Sequence, residues 1–253
     1  MLNSLPLFDF DAHRQAVLMP GHDGPFSFHK KAVFPFLRDE EILQFVEQNG
    51  GKQIGKFETI TKTYPVYECR YQNEWITVAQ APLGAPAAVQ FLEFLIWFGV
   101  KQVISVGSCG VLTDIAEDRF LIPTVALRDE GTSFHYVLRS DVIALNPEVV
   151  ASMEKGLTKN KLEFREVETW TTDGFFRETA ALVRKRKQQG CTVVEMECAA
   201  LAACAQFRNV QFGQLFFTAD SLANLNQHQE RDWGEGAHEQ AIELAAQLVT
   251  ELV

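Results

Sequence analysis

Apolar and polar positions change their period repeatedly along this chain, and each change marks an expected element. In "RDEEILQFVEQNG" (38–50) acids crowd the start and Ile42, Leu43, Phe45 and Val46 recur at roughly helical spacing. Asn49 and Gly50 stop the pattern, so a helix is predicted there. "KKAVFPF" (30–36) before it reads as a short strand entering the core. "YPVYECRY" and "EWITVAQA" read as two strands of a hairpin joined at Gln72 and Asn73. "APAAVQFLEFLIWFG" (85–99) is predicted as a helix opened near Pro86 and closed by Gly99. "VKQVISVGSCG" (100–110) is expected to be an apolar strand running into a Gly-flanked turn.

Further strands are expected over 119–131, 163–172, 191–196 and 211–222. Helices are expected over 146–157 with Asn146 as N-cap, over 178–190 and over 198–207. In the last of these Ala199, Ala200, Ala203, Cys204 and Phe207 share one face. An amphipathic helix closes the chain from 235 onwards. Strands alternating with helices imply an α/β fold, here a single-domain three-layer αβα sandwich with a mixed, largely parallel sheet. Pro6, Pro20, Gly21, Gly24 and Pro25 punctuate residues 1–31, which read as an irregular N-terminal extension to one domain over 32–253.

Ligands of such sheets bind beyond the carboxyl ends of the strands. The strands deliver Gly107, Ser108, Cys109 and Gly110 there, then residues 171–176, then Glu195, Met196 and Glu197, then Thr218, Ala219, Asp220 and Ser221. Acids for hydroxyls, an aromatic pair for stacking and backbone N–H groups for an anion suit a sugar that carries a flat ring.

Composition narrows the field. The net charge of −10 argues against a nucleic-acid surface and against anionic membranes, though not against a small anionic substrate. No apolar run reaches the ~18 residues of a membrane span, and the N-terminus carries acids where a signal peptide has a basic segment, so a cytoplasmic protein is expected. The 5 cysteines are widely spaced without a CxxC pair and read as buried reduced thiols. His228 and His238 lack metal-ligand spacing, so neither a metal nor another cofactor is expected.

GSCG (107–110), TDGFF (172–176), VEMECAAL (194–201) and TAD (218–220) stand in the order and spacing of the nucleoside phosphorylase superfamily. That superfamily includes uridine phosphorylases, hexameric bacterial purine nucleoside phosphorylases and adenosine-type nucleosidases. "LRDEGTSFHY" (127–136) resembles a uridine phosphorylase segment, and "APLGAP" (81–86) resembles the family's Gly-rich turn. The resemblance spans about residues 33–253. It implies a nucleoside phosphorylase-like fold and a homo-oligomer, dimer or hexamer. It also implies cleavage of the N-glycosidic bond of a purine or pyrimidine nucleoside, with phosphate as co-substrate.

Residue by residue, Glu197 resembles the glutamate that accepts the ribose hydroxyls; the alternative is an acid drawn to a helix N-terminus. Met196 would pack on the sugar, or is plain core. Glu195 would assist at the hydroxyls or hold a neighbouring group. Asp220 matches the acid that protonates a departing purine, against a capping role after a strand. Phe175 and Thr172 would contact the base. Gly107 and Ser108 resemble a phosphate-holding turn. His13 reads first as a solvated surface histidine, with an N-terminal histidine lent to a neighbouring subunit as the alternative.

The pattern breaks at the phosphate. Ser105 stands where phosphorylases carry an arginine. "PFLRDEE" (35–41) replaces a turn bearing a second, leaving Arg38 as a displaced candidate and Lys62 as a loose match for a third. A phosphate dianion in a pocket needs charge-assisted partners. The nucleosidase branch has an acidic run in that place, where a glutamate activates water, and Glu41 resembles it. Phosphorolysis is therefore the first expectation, hydrolysis the alternative, and a degenerate homologue that binds a nucleoside without turnover a third.

Overall fold

The computed structural model describes residues 5–253; the first four residues of the expected N-terminal extension lie outside the described residues. Up to residue 30 the chain carries two short 3-10 turns, Pro6–Phe8 and Pro20–Asp23, and Phe28 is buried in the main core. The regular elements then follow as β1 (Lys31–Pro35), α1 (Asp39–Gln48), β2 (Lys52–Glu58), β3 (Thr63–Tyr71), β4 (Glu74–Ala79), α2 (Ala85–Trp97) and β5 (Gln102–Val111). Next come β6 (Phe120–Asp129), β7 (Val142–Ala144), α3 (Pro147–Lys159), β8 (Phe164–Thr172), α4 (Ala180–Gln188), β9 (Val193–Glu195), α5 (Cys198–Arg208), β10 (Gln211–Ser221) and α6 (His238–Glu251).

The strands form one mixed sheet in the order β10-β6-β8-β9-β5-β1-β4-β3-β2, with β7 alongside β6. β10 also pairs with β5, so β5, β10, β6, β8 and β9 close into a ring, from which β1, β4, β3 and β2 extend as an open wing. β1, β4, β5 and β10 associate in parallel, as do β6, β8 and β9. The antiparallel joints are β10 to β6, β6 to β7, β5 to β9 and the β2–β3–β4 hairpins. α2 packs on α5, and α1 and α3 pack on α6, so the helices gather in two groups flanking the sheet.

Local chemistry explains the boundaries. Asn146 Oδ1 accepts from the amides of Glu148 (2.9 Å) and Val149 (3.3 Å), which caps α3. Gln72 and Asn73 take φ values of 45° and 71°, the left-handed pair that a two-residue hairpin between β3 and β4 requires. Gly99 sits at φ 127°, and a Cβ there would come within 2.7 Å of the Phe28 carbonyl. α5 is apolar all round, with Cys198 through Ala205 buried, rather than buried along one face. All 5 cysteines are free and buried. Among the described residues no helix is long and apolar enough to cross a membrane.

The sequence reading needs correction at residues 107–110. They are not a turn: β5 runs on to Val111, paired with β10 through Cys109 opposite Thr218 and with β9 at Gly110 opposite Val194. Glycine loosens a strand but does not end it when partners exist on both sides. The strand-breaking event is on the neighbours instead. β1 accompanies β5 only as far as Val106, and β9 takes over the same edge at Gly110. Residues between them have no strand on that edge. β2 and β7 are elements that the hydrophobic pattern did not mark.

Candidate active site

The gap in the β5 edge opens into a cavity of about 330 Å³ at the strand ends. Gly107 and Ser108 line it from β5, Glu195 to Glu197 from the β9–α5 junction, Asp220 and Gln214 from β10, and Phe175, Phe176 and Glu178 from the segment after β8. Val106 gives its carbonyl to the Phe36 amide at 2.8 Å, so the next main-chain group on that edge, two residues on, is that of Ser108. Ser108 is exposed, whereas its neighbours in β5 are buried.

Glu195 is the keystone of the β9–α5 junction. Its Oε1 accepts from Thr171 Oγ1 (2.6 Å) and Thr169 Oγ1 (3.1 Å), and its Oε2 accepts from the amides of Glu197 and Cys198 (both 2.7 Å). Two of those donors are orphan amides at the start of α5, the groups a buried helix end must satisfy. All four contacts tie Glu195 to its own protein, so it positions Glu197 rather than facing a ligand. Burial pushes its carboxyl up from the usual range, opposed by these hydrogen bonds.

Glu197 is 6% exposed and reaches across to α2, where its Oε1 accepts from the Gly84 amide at 2.6 Å. Gly84 is the N-cap of α2 with φ 93°, a conformation glycine adopts without strain. Burial, and next the charge of Glu195, push the Glu197 carboxyl to about 8. Asp220, 7% exposed, binds His228 Nε2 through Oδ2 at 2.7 Å. A Cβ at Gly110 would stand 3.0 Å from Asp220 Oδ1, so glycine there lets the carboxylate lie against β5. Glu178 is pushed to about 7, first by burial and then by the charge of Asp220. Gln214, 2% exposed, gives its Nε2 to the Leu215 carbonyl at 3.3 Å and leaves Oε1 without a partner.

Of the expected site residues, Glu197, Met196, Glu195, Phe175, Asp220, Gly107 and Ser108 come together around the cavity. Thr172 does not line it; its Oγ1 accepts from the Gly174 amide at 3.2 Å and shapes the bend that presents Phe175. Phe175 stands edge-on to Phe176 with ring centroids 5.0 Å apart at 77°.

Arg38, Glu41 and Lys62 lie outside the cavity wall, contrary to the expectation. Glu41 closes back on Arg38, accepting from its main-chain amide at 2.6 Å and from its guanidinium, and receives His238 Nδ1 at 2.6 Å. Arg38 also meets Glu235 at 3.1 Å. Lys62 Nζ donates to Gln80 Oε1 at 3.0 Å. Glu41 is thus consumed in capping α1, the ordinary use of an acid in a first turn. His13 is exposed, held by Asp11 at 2.6 Å, and lines a different cavity beside α2.

Sequence reasoning missed Gly84, Glu178, Gln214 and Trp233 as parts of the site. Glu178 precedes the N-cap Thr179 of α4 and looks like any acid near a helix start. Gln214 sits in a buried strand run where polarity was its one signal. Among the described residues lining the cavity there is no lysine, arginine or histidine, and no cluster among the described residues is suited to a metal ion.

A family model described as the phosphorylase superfamily matches residues 32–253. The DeoD-type purine nucleoside phosphorylase of Buchnera aphidicola subsp. Acyrthosiphon pisum is 24% identical over 249 residues, covering 94% of this chain and 95% of that one. The uridine phosphorylase structure from Vibrio fischeri superposes with a TM-score of 0.75 at 19% identity, over 93% of this chain and 95% of that one. An AMP nucleosidase structure from Bacteroides thetaiotaomicron gives 0.69 at 18% identity, over 87% and 86%.

Proposed function

Since the chain belongs to the phosphorylase superfamily, we propose that its cavity binds a purine or pyrimidine nucleoside and cleaves the N-glycosidic bond. The observation that carries this reading is the meeting of Glu197, Phe175 and Asp220 in one cavity of about 330 Å³. Glu197, anchored at Oε1 by Gly84, turns its other oxygen to the sugar hydroxyls. Two hydroxyl donors favour its ionised form, so the site's acidity shifts as substrate enters. Met196 packs on the furanose and Phe175 on the base. As the bond breaks, positive charge grows on the sugar and negative charge on the base. The carboxylates stabilise the first, and the Asp220–His228 pair delivers the proton that relieves the second.

Phosphate is the nucleophile that family membership favours, approaching the Ser108 amide and hydroxyl. A second reading, water, is favoured by one observation: among the described residues the cavity wall holds carboxylates and no cationic side chain, and Arg38 and Lys62 are engaged elsewhere. We further propose that the protein is a cytoplasmic homo-oligomer, with residues 32–253 as its domain.

Incubating the protein with uridine, inosine, adenosine and methylthioadenosine, with and without phosphate, tests the reading. Base release that needs phosphate establishes phosphorolysis, and equal release without it establishes hydrolysis. Binding of these nucleosides without release from any of them refutes the proposal in favour of a non-catalytic binder.

A further inference from the structure

Trp233 reaches the cavity wall from the turn between β10 and α6. The turn is strained: Arg231 and Trp233 take φ values of 55° and 54°, and Gly234 follows at 74°. A left-handed backbone is uncommon at a bulky side chain and persists only where the surroundings hold it. Glu117, from the segment between β5 and β6, supplies the hold. Its Oε1 accepts from the amides of Asp232 (2.8 Å) and Gly234 (2.9 Å), the residues on either side of Trp233. An ionised acceptor makes the stronger kind of hydrogen bond. The Glu117 segment is itself fastened to the tip of β10. Thr218 Oγ1 donates to the Ala116 carbonyl at 2.7 Å and accepts from the Arg119 amide at 2.9 Å. Arg231 ties the turn to the same place, donating to the carbonyls of Ile115 (2.9 Å) and Ala219 (3.2 Å). The Trp233 ring also stands 5.9 Å, centroid to centroid, from that of His228, whose Nε2 meets Asp220 at 2.7 Å.

We propose that Glu117 is a positioning residue for the reaction: it holds the strained turn so that Trp233 stays closed against the bound nucleoside and His228 stays on Asp220. The inference rests on the cleavage reading above and adds to it a residue that lies behind the cavity wall rather than on it. Trp233 is the group that touches substrate. Its ring is 44% exposed and so has apolar surface left to bury against a ligand, and its indole carries an N–H donor as well. Glu117 acts through it. Without that carboxylate the amides of Asp232 and Gly234 lose their common acceptor, and nothing on that side opposes the return of residues 231 and 233 to negative φ. The ring then leaves the wall, and His228 loses the surface it stands against.

A double-mutant cycle in kcat/KM for base release tests it, with Glu117→Ala, Trp233→Ala and the two combined, each shown to be folded by urea denaturation. Each single variant should lose roughly tenfold, the size of one aromatic contact to a nucleoside. The double variant should be no worse than Trp233→Ala alone, because the two residues act in series. Glu117→Gln keeps a carbonyl oxygen for the two amides and should recover most of the loss. Losses that multiply in the double variant, or a Glu117→Ala protein that is less stable but has native kcat/KM, overturn the inference and leave the cleavage reading standing. No base release by the native protein from any nucleoside removes the cleavage reading, and the inference with it. Should the alanine variants not fold, amide hydrogen exchange of the native protein decides. Nucleoside binding should slow exchange at Asp232 and Gly234; exchange there that is unchanged on binding overturns the inference.

Discussion

Glu197→Gln separates what the carboxylate does for chemistry from what it costs the fold. The amide keeps one carbonyl oxygen, which can still accept the Gly84 N–H now 2.6 Å from Glu197 Oε1. It then presents an NH2 group to the sugar, replacing a charged acceptor by a donor facing donors. Hydrogen bonds to a charged group contribute about 1.5–3 kcal/mol against about 1 for neutral pairs. Two weakened hydroxyl contacts therefore cost about 2–3 kcal/mol, or roughly 30–150-fold in kcat/KM. Stability moves the other way. The folded carboxyl sits at about 8 against 4.5 for the reference value, so the native state holds its proton more tightly than the unfolded chain. The favourable contribution is complete below pH 4.5 and is lost as pH rises through about 8. At 1.36 kcal/mol per tenfold in acidity this loss reaches about 3–5 kcal/mol by pH 9. Urea denaturation between pH 5 and 9, paired with steady-state base release, reads both effects. The variant should be slower yet lose less stability on going to pH 9 than the native protein. A variant with unchanged kcat/KM, or with the native dependence of stability on pH, refutes the reasoning.

Other perturbations give distinct outcomes. Glu195→Gln can satisfy only the donors on one of its two oxygens and sets an NH2 against the remainder, so a loss of about 2–4 kcal/mol is expected by urea denaturation; a loss under about 0.5 kcal/mol would show that the junction does not depend on it. Phe175→Ala removes a stacking face and should raise KM for the nucleoside by about 1–2 kcal/mol, with little change in melting temperature because the ring is 44% exposed. Unaltered KM would place the base elsewhere. Gly99→Ala, forced against the Phe28 carbonyl at a φ of 127°, should destabilise by about 2 kcal/mol or more, checked by thermal denaturation.

The helices, the β3–β4 hairpin and the acids at 195, 197 and 220 were legible because each carries a local signal. Asn146 before Pro147 announces a cap, and Gln72 and Asn73 between two apolar runs announce a tight turn. β2 was not legible: "KQIGKFE" alternates weakly and gains its place by pairing with β3. β7 is three residues long and exists by virtue of β6. The continuation of β5 through 107–110 depends on β10 and β9, both more than 80 residues away. Local glycine chemistry argued for a turn, and non-local pairing overrode it. The same limit explains Arg38 and Glu41. Their types fit an anion and a nucleophile, but their partners Glu235 and His238 come from the far end of the chain. Gln214 became informative only when its carbonyl proved to have no donor.

The central claim is that a nucleoside lies in the 330 Å³ cavity with its sugar at Glu197 and its base at Phe175. A crystal structure with a bound nucleoside tests it directly. The account predicts furanose hydroxyl oxygens about 2.6–3.0 Å from the Glu197 carboxylate, within ordinary hydrogen-bond range, with the base against Phe175 and one ring edge turned to Asp220. A nucleoside seated instead in the larger cavity beside α2, lined by His13 and Glu93, or held with its base at Glu197, contradicts it.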